Sequence, residues 1–173
     1  MRHTDGIYKI DRTTGDTVWK LGGTTTPESL TVLEDPFSAN PLGGQHDARI
    51  LKDGTLTAHD NGFPRNRQPR AVRYEINEQT GTVTLLESVT DPDVPAALCC
   101  GSARRSDTGS WVMSWDGVGS TEHPVSEFNA DGTRTFRLGF SPAGAFSYRV
   151  HPVPPGQLES AALRSGMDTQ HPR

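Results

Sequence analysis

Two histidines stand where nucleophilic or acid–base chemistry would need them. His46 lies in Gly43-Gly44-Gln45-His46-Asp47, and His59 in Leu56-Thr57-Ala58-His59-Asp60-Asn61-Gly62. Side chains alternate along a strand, so Thr55, Thr57, His59 and Asn61 are expected on one face and Leu56, Ala58 and Asp60 on the other. Residues 48–51 and 55–58 read as antiparallel strands across Asp53-Gly54. Residue 47 or so then lies across from residue 59 or so, which brings His46 and His59 to the same end. Arg70 begins the next strand, which runs back from the end where 55–61 finishes. His46, His59, Asn61 and Arg70 are therefore expected to meet at one mouth. Two imidazoles, an amide and a guanidinium suit an anionic, tetrahedral oxyacid group, because the guanidinium offers a bidentate fork and the others offer further donors. A neutral imidazole can act as nucleophile or general base. The plainer reading is a strand-end histidine before an Asx-Gly turn. Spacing alone weighs the two evenly.

Other residues carry weaker signals. A metal site would draw on His46, His59, Asp47 and Asp60, but Asp60 is expected to point away from His59 and the arginine would oppose a cation. No metal or cofactor is expected. His3, His123, His151 and His171 sit beside Gly, Pro or charged neighbours and read as exposed or turn histidines. Trp111, Met113 and Trp115 alternate along one strand and read as packing. Arg104, Arg105, Arg134 and Arg137 are interleaved with Asp107, Glu122, Glu127 and Asp131, so they form no basic patch. Cys99 and Cys100 are adjacent, which fits no usual zinc spacing. They read as a tight Cys-Cys-Gly-Ser turn, with a strained ring or a buried thiol pair as the alternatives.

The elements that must position these residues come from two recurring hairpins. One is a strand, a Thr-Gly turn and a strand: Ile7–Asp11 with Thr17–Leu21 across Thr14-Gly15, and Val72–Asn77 with Val83–Leu86 across Thr80-Gly81. Tyr8/Tyr74, Ile10/Ile76 and Gly15/Gly81 all differ by 66 positions. A shorter copy is Val125–Asn129 with Thr135–Leu138 across Asp131-Gly132. The other hairpin opens on Ala-Arg. Ala48/Ala103, Arg49/Arg104, Gly54/Gly109 and Gly62/Gly117 all differ by 55 positions. This register puts His59 at the place of Ser114 and Asn61 at the place of Asp116. One hairpin of each kind makes four antiparallel strands, and such sheets repeated every 40–50 residues or so are the pattern of a β-propeller. The expected class is all-β: a partial β-propeller of four-stranded antiparallel blades, about two and a half of them. Residues 1–150 form the partial propeller, with residues 1–23 supplying only the outer pair of one blade. A last strand is expected over 145–150. Residues 151–173 form a Pro-rich tail with a short helix over 158–167.

Composition agrees with that picture. The chain has 173 residues, a net charge of −4 and 32% hydrophobic residues, low for a globular domain but suited to small sheets that spend residues on turns. No run approaches the roughly 18 apolar residues of a membrane span. Mild acidity speaks against a nucleic-acid surface. Residues 1–6 contain no apolar h-region, so no signal peptide is expected in this stretch.

The motifs together resemble the arylsulfotransferase family. The resemblance rests on Tyr8–Asp11 with Val18–Gly23, Gly44–Ala48, His59–Gly62, Pro69–Tyr74 and Cys100–Arg104, in that order. It implies a six-bladed propeller with its site at the central channel. It also implies sulfuryl transfer from an aryl sulfate to a phenol through a sulfohistidine, without 3′-phosphoadenylyl sulfate. The family's His-x-Asn pair falls on His59 and Asn61, its following arginine on Arg70, and its Gln-His motif on His46. The family's nucleophilic histidine is expected after the cysteines. The strand Trp111–Asp116 holds none, and His123 is the near candidate in the following loop.

Full-length members are expected to be exported, and this chain reads as the C-terminal portion of a longer one. Its expected partners are a small-molecule aryl sulfate and a phenol, with self-association possible through open blade edges. The expected function is arylsulfotransferase-like transfer of a sulfuryl group through a histidine; a second expectation is a truncated fragment, inactive by itself and functional only within a longer chain or an assembly. The alternative is a non-catalytic propeller that binds a ligand or protein.

Overall fold

In a computed structural model the residues described are 1–115, 124–140, 147–153 and 156–170. Among the described residues eleven strands build three sheets. β1 (Gly6–Ile10) pairs with β2 (Thr17–Gly22) alone. The second sheet contains β3 (Thr31–Leu33), β4 (His46–Ile50), β5 (Leu56–Asp60), β6 (Arg70–Asn77) and β7 (Thr82–Val89), in the order β3-β7-β6-β5-β4. The third is β8 (Ser102–Arg105), β9 (Trp111–Ser114), β10 (Val125–Phe128) and β11 (Arg134–Leu138), paired consecutively.

The recurring hairpins are the units of pairing. β1–β2, β6–β7 and β10–β11 are the Thr-Gly type or its shorter copy, and β4–β5 and β8–β9 are the Ala-Arg type. The equivalent turn residues Gly54 and Gly109 have φ of +82° and +91°. A Cβ at Gly54 would meet nothing within 4 Å, so conformation rather than space calls for glycine there. All neighbouring strands are antiparallel except β3, which adds to β7 in parallel as a fifth strand. The repeats did not announce it, because Thr31–Leu33 has no copy elsewhere in the chain.

Two apolar layers lie between the sheets. The first gathers Ile7, Trp19 and Leu21 from β1–β2 with Leu56, Ala58, Val72, Tyr74 and Val83 from the second sheet. The other gathers Ala71 and Val94 with Ala103, Trp111, Met113, Trp115 and Phe128. β5 and the start of β6 are buried on both faces, as a sheet packed between two others requires. This is an all-β, propeller-like arrangement of partial extent. Trp111, Met113 and Trp115 are core residues, as their alternation predicts.

The C-terminal segment differs from expectation. Residues 147–150 form no strand, and 145–146 lie outside the described residues. The helix α1 runs Ser160–Gln170, exposed throughout, with Gly166 inside it. Among the described residues no helix is long and apolar enough to cross a membrane.

Trp19 couples the two-stranded sheet to its neighbour: it is buried, and its Nε1 donates to Glu78 Oε1 at 2.9 Å. Replacing Trp19 by Ala is expected to cost about 3–5 kcal/mol. Urea unfolding measures that loss, and hydrogen exchange is expected to accelerate first in β1 and β2.

Candidate functional site

His46 and His59 are direct cross-strand partners at one end of β4–β5. A bulge follows His46, where Asp47 takes φ of +54°, and it turns the start of β4 toward the third sheet. His59 and Asn61 share the face that meets this sheet. His59 is fully buried, with Trp115 edge-on at a centroid distance of 5.8 Å.

Both histidines and Asn61 converge on one peptide segment, Cys100-Gly101. The Cys100 N–H donates to His46 Nε2 at 3.0 Å, and Asn61 Nδ2 donates to the Cys100 carbonyl at 3.1 Å. The donation to Nε2 makes that nitrogen the acceptor, so the ring proton of a neutral His46 is on Nδ1. Cys100 has φ of +63°, and its Sγ lies 2.7 Å from Cys99 Sγ. At Gly101 a Cβ would fall 2.5 Å from the His59 ring, so only glycine admits the imidazole there. The bend at Cys99, with Cys100 and Gly101 after it, is thus the bracket that holds the histidine pair.

Among the described residues, His59 Nδ1, His59 Nε2 and Asn61 Oδ1 are buried without a hydrogen-bond partner. Leaving such a group unpaired costs on the order of 1–3 kcal/mol. Arg2 Nε, Gln45 Oε1, Thr57 Oγ1, Arg67 Nε and Arg104 Nε are also buried and unpartnered, but His59 has both of its ring nitrogens in that state. Burial, and secondarily the nearby His46, push the His59 pKa down to about 3. Its imidazole is therefore neutral, the form with a lone pair to offer.

Arg70 does not join them. It pairs across the sheet with Asp60, while His59 pairs with Ala71. Cross-strand partners share a face, so Arg70 projects with Asp60, away from His59 and Asn61. Its guanidinium is buried and forks onto Asp35 at 3.1 and 2.9 Å, with further bonds to Asp60 Oδ2 at 3.1 Å and the Pro41 carbonyl at 2.7 Å. The expected four-residue mouth is corrected to three residues, with Arg70 on the opposite side of the same strands. The conceivable metal set does not gather either. Asp60 is held by Arg70 and Arg67, and Asp47 by Arg104 and Arg49. His123 lies outside the described residues.

Gln45 and Arg2 were missed as site neighbours, and Asp47 was weighed only as a metal ligand. With His46 they line an open pocket of about 360 Å³ at the start of β4. Burial raises the Asp47 pKa, against the pull of Arg49. Arg2 carries no local sequence signal, since its place depends on how the first residues fold back on residues 44–46 and 98.

Two outcomes follow from this geometry. Arg70→Ala would leave Asp35 and Asp60 buried without their shared cation, and urea unfolding should show a loss of about 3–5 kcal/mol. A folded-state pKa near 3 against 6.5 unfolded means that the unfolded chain binds the extra proton at His59. The stability from its neutral burial is complete above pH 6.5 and falls as pH drops toward 3. The slope is up to about 1.4 kcal/mol per pH unit. His59→Leu should flatten this part of the stability–pH curve.

No curated protein matches the chain. A family model described as Arylsulfotransferase (ASST) matches residues 1–135. That span is most of the chain and contains His46, His59, Asn61, Cys100 and all of the first two sheets. The chain belongs to the arylsulfotransferase family.

Proposed function

We propose that this chain carries part of a sulfuryl-transfer site in which an imidazole of the His46–His59 pair takes a sulfuryl group from an aryl sulfate and passes it to a phenol. The observation that carries the reading is the cross-strand imidazole pair at the family's His-x-Asn position, with His59 neutral and its ring nitrogens unengaged.

In the first half-reaction a ring nitrogen lone pair forms an S–N bond. The S–O bond to the arene breaks, and its electron pair leaves on the phenolate, which takes a proton from water. In the second, the acceptor phenol gives its proton to solvent, its oxygen forms a new S–O bond, and the S–N pair returns to the imidazole. His46 lines the open pocket and is the imidazole a substrate meets first. Transfer at its Nε2 requires the hydrogen bond from Cys100 to break. His59 stands behind it with nitrogens that need no such exchange. Asn61 holds the Cys100 carbonyl in place, which keeps the bracket over both rings. Arg70 acts as a positioning residue: it anchors Asp60, the residue between His59 and Asn61.

The test is release of p-nitrophenol from p-nitrophenyl sulfate with a phenol acceptor, together with mass spectrometry for one sulfuryl group on a histidine peptide. Wild-type chain should turn over. His59→Ala and His46→Ala should each lower the rate at least a hundredfold, in line with loss of a nucleophile or its partner. His123→Ala should leave it unchanged. A folded wild-type chain that transfers nothing refutes the reading and favours a ligand-binding propeller.

A further inference from the structure

If Arg70 is committed to Asp35 and Asp60, a sulfate group near His46 needs another cation. Every other buried or half-buried arginine among the described residues has a carboxylate partner: Arg67, Arg70, Arg73, Arg104, Arg105 and Arg134. Arg2 is half-buried and has none among the described residues. One of its terminal nitrogens donates to the Leu98 carbonyl at 2.8 Å, and its Nε is buried with no partner. A guanidinium has five donors in a planar fork, and most of this one is uncommitted.

Arg2 lines the same pocket as His46. Gln45 lines it too and is buried, its Nε2 spent on the Met1 and Gly6 carbonyls and its Oε1 unpartnered. The Arg2 donor suits an anionic oxygen, while the Gln45 acceptor suits a hydroxyl. Asp47, the carboxylate on this wall, is already paired with Arg104 at 3.0 Å and Arg49 at 3.3 Å. The local balance of these side chains is therefore positive.

A second hollow adjoins this pocket. Ile7, Tyr8 and Ala48 also line a second pocket of about 480 Å³ between β1 and β4. Its wall adds Trp19, Leu56 and Ile76, and its ionic groups include the mutually paired Lys9 and Glu78. An anion-binding end that shares a wall with an apolar hollow matches a ligand with a charged head and a flat hydrocarbon body.

We infer that Arg2 is the sulfate-binding cation of this site, holding the sulfuryl oxygens of an aryl sulfate beside His46 while the arene lies in the apolar pocket between β1 and β4. The inference rests on the proposed sulfuryl transfer for its substrate class, but binding can be read separately from turnover. It places substrate recognition on the N-terminal turn, and it makes the outer hairpin β1–β2 a wall of the site.

Calorimetric titration tests it with two probes, p-nitrophenyl sulfate and inorganic sulfate, on wild type, Arg2→Gln and Arg2→Lys. Wild type should bind the ester at least tenfold more tightly than inorganic sulfate. Arg2→Gln should weaken the ester at least tenfold, and Arg2→Lys should recover part of the loss through charge without the fork. Equal affinity for the two probes overturns the arene pocket. Unchanged affinity in Arg2→Gln, or no binding by wild type, overturns the role of Arg2. Should Arg2→Gln fail to fold, protection of Arg2 from phenylglyoxal by p-nitrophenyl sulfate in wild type reads the same contact, and absence of protection refutes it. Wild type that binds the ester through Arg2 but never transfers refutes the catalytic reading and keeps the binding one. Turnover with KM unchanged in Arg2→Gln does the reverse.

Discussion

The Asp60 carboxylate is the point on which the rest depends. It accepts the N–H groups of Gly43 at 2.8 Å and Gly62 at 3.2 Å, and ion pairs from Arg67 and Arg70. Through Arg70 the network reaches Asp35, Tyr74 and the Pro41 carbonyl. Phe37 stacks near both guanidiniums, 4.4 Å from Arg67 and 4.8 Å from Arg70. The segment from 35 to 43 would otherwise be a turn-rich crossing with little apolar anchorage of its own. These charges fix it to β5 and β6, and it delivers His46 to the start of β4. A buried network of this kind is weak evidence for net stability, because desolvation opposes it. Its effect is geometric: it fixes the segment that leads into His46.

β5 therefore serves two tasks with alternate residues. Asp60 faces the first apolar layer and the scaffold. His59 and Asn61, its sequence neighbours, face Cys100 and the third sheet. A strand buried on both faces is what permits this, since neither face is given to water.

Strand parity made much of this legible from sequence. Alternation assigned His59 and Asn61 to one face, and the Asp53-Gly54 turn brought His46 and His59 to the same end; their direct pairing comes from the bulge after His46, which shifts the register by one. Arg70 was misplaced for a related reason. The loop before it has no tight turn to fix the register, and Ala71 and Val72 are both fully buried, so hydrophobicity does not say which faces which layer. One residue of register decides whether Arg70 stands beside His59 or beside Asp60. The edge pairing of β3 with β7 and the place of Arg2 were beyond reach for another reason. β3 is three residues long without a copy, and Arg2 depends on contacts 96 positions away.

The bracket at Cys100 has a consequence for how the two halves of the site communicate. One residue gives its N–H to His46 and its carbonyl to Asn61. If His46 gains a proton at Nε2, or a covalent group there, it can no longer accept that N–H, and the peptide must turn away. The carbonyl of the same residue belongs to the next peptide unit, hinged to the first at the Cys100 Cα. The two histidine-side bonds thus act on adjoining peptides, with one α-carbon as the joint between them.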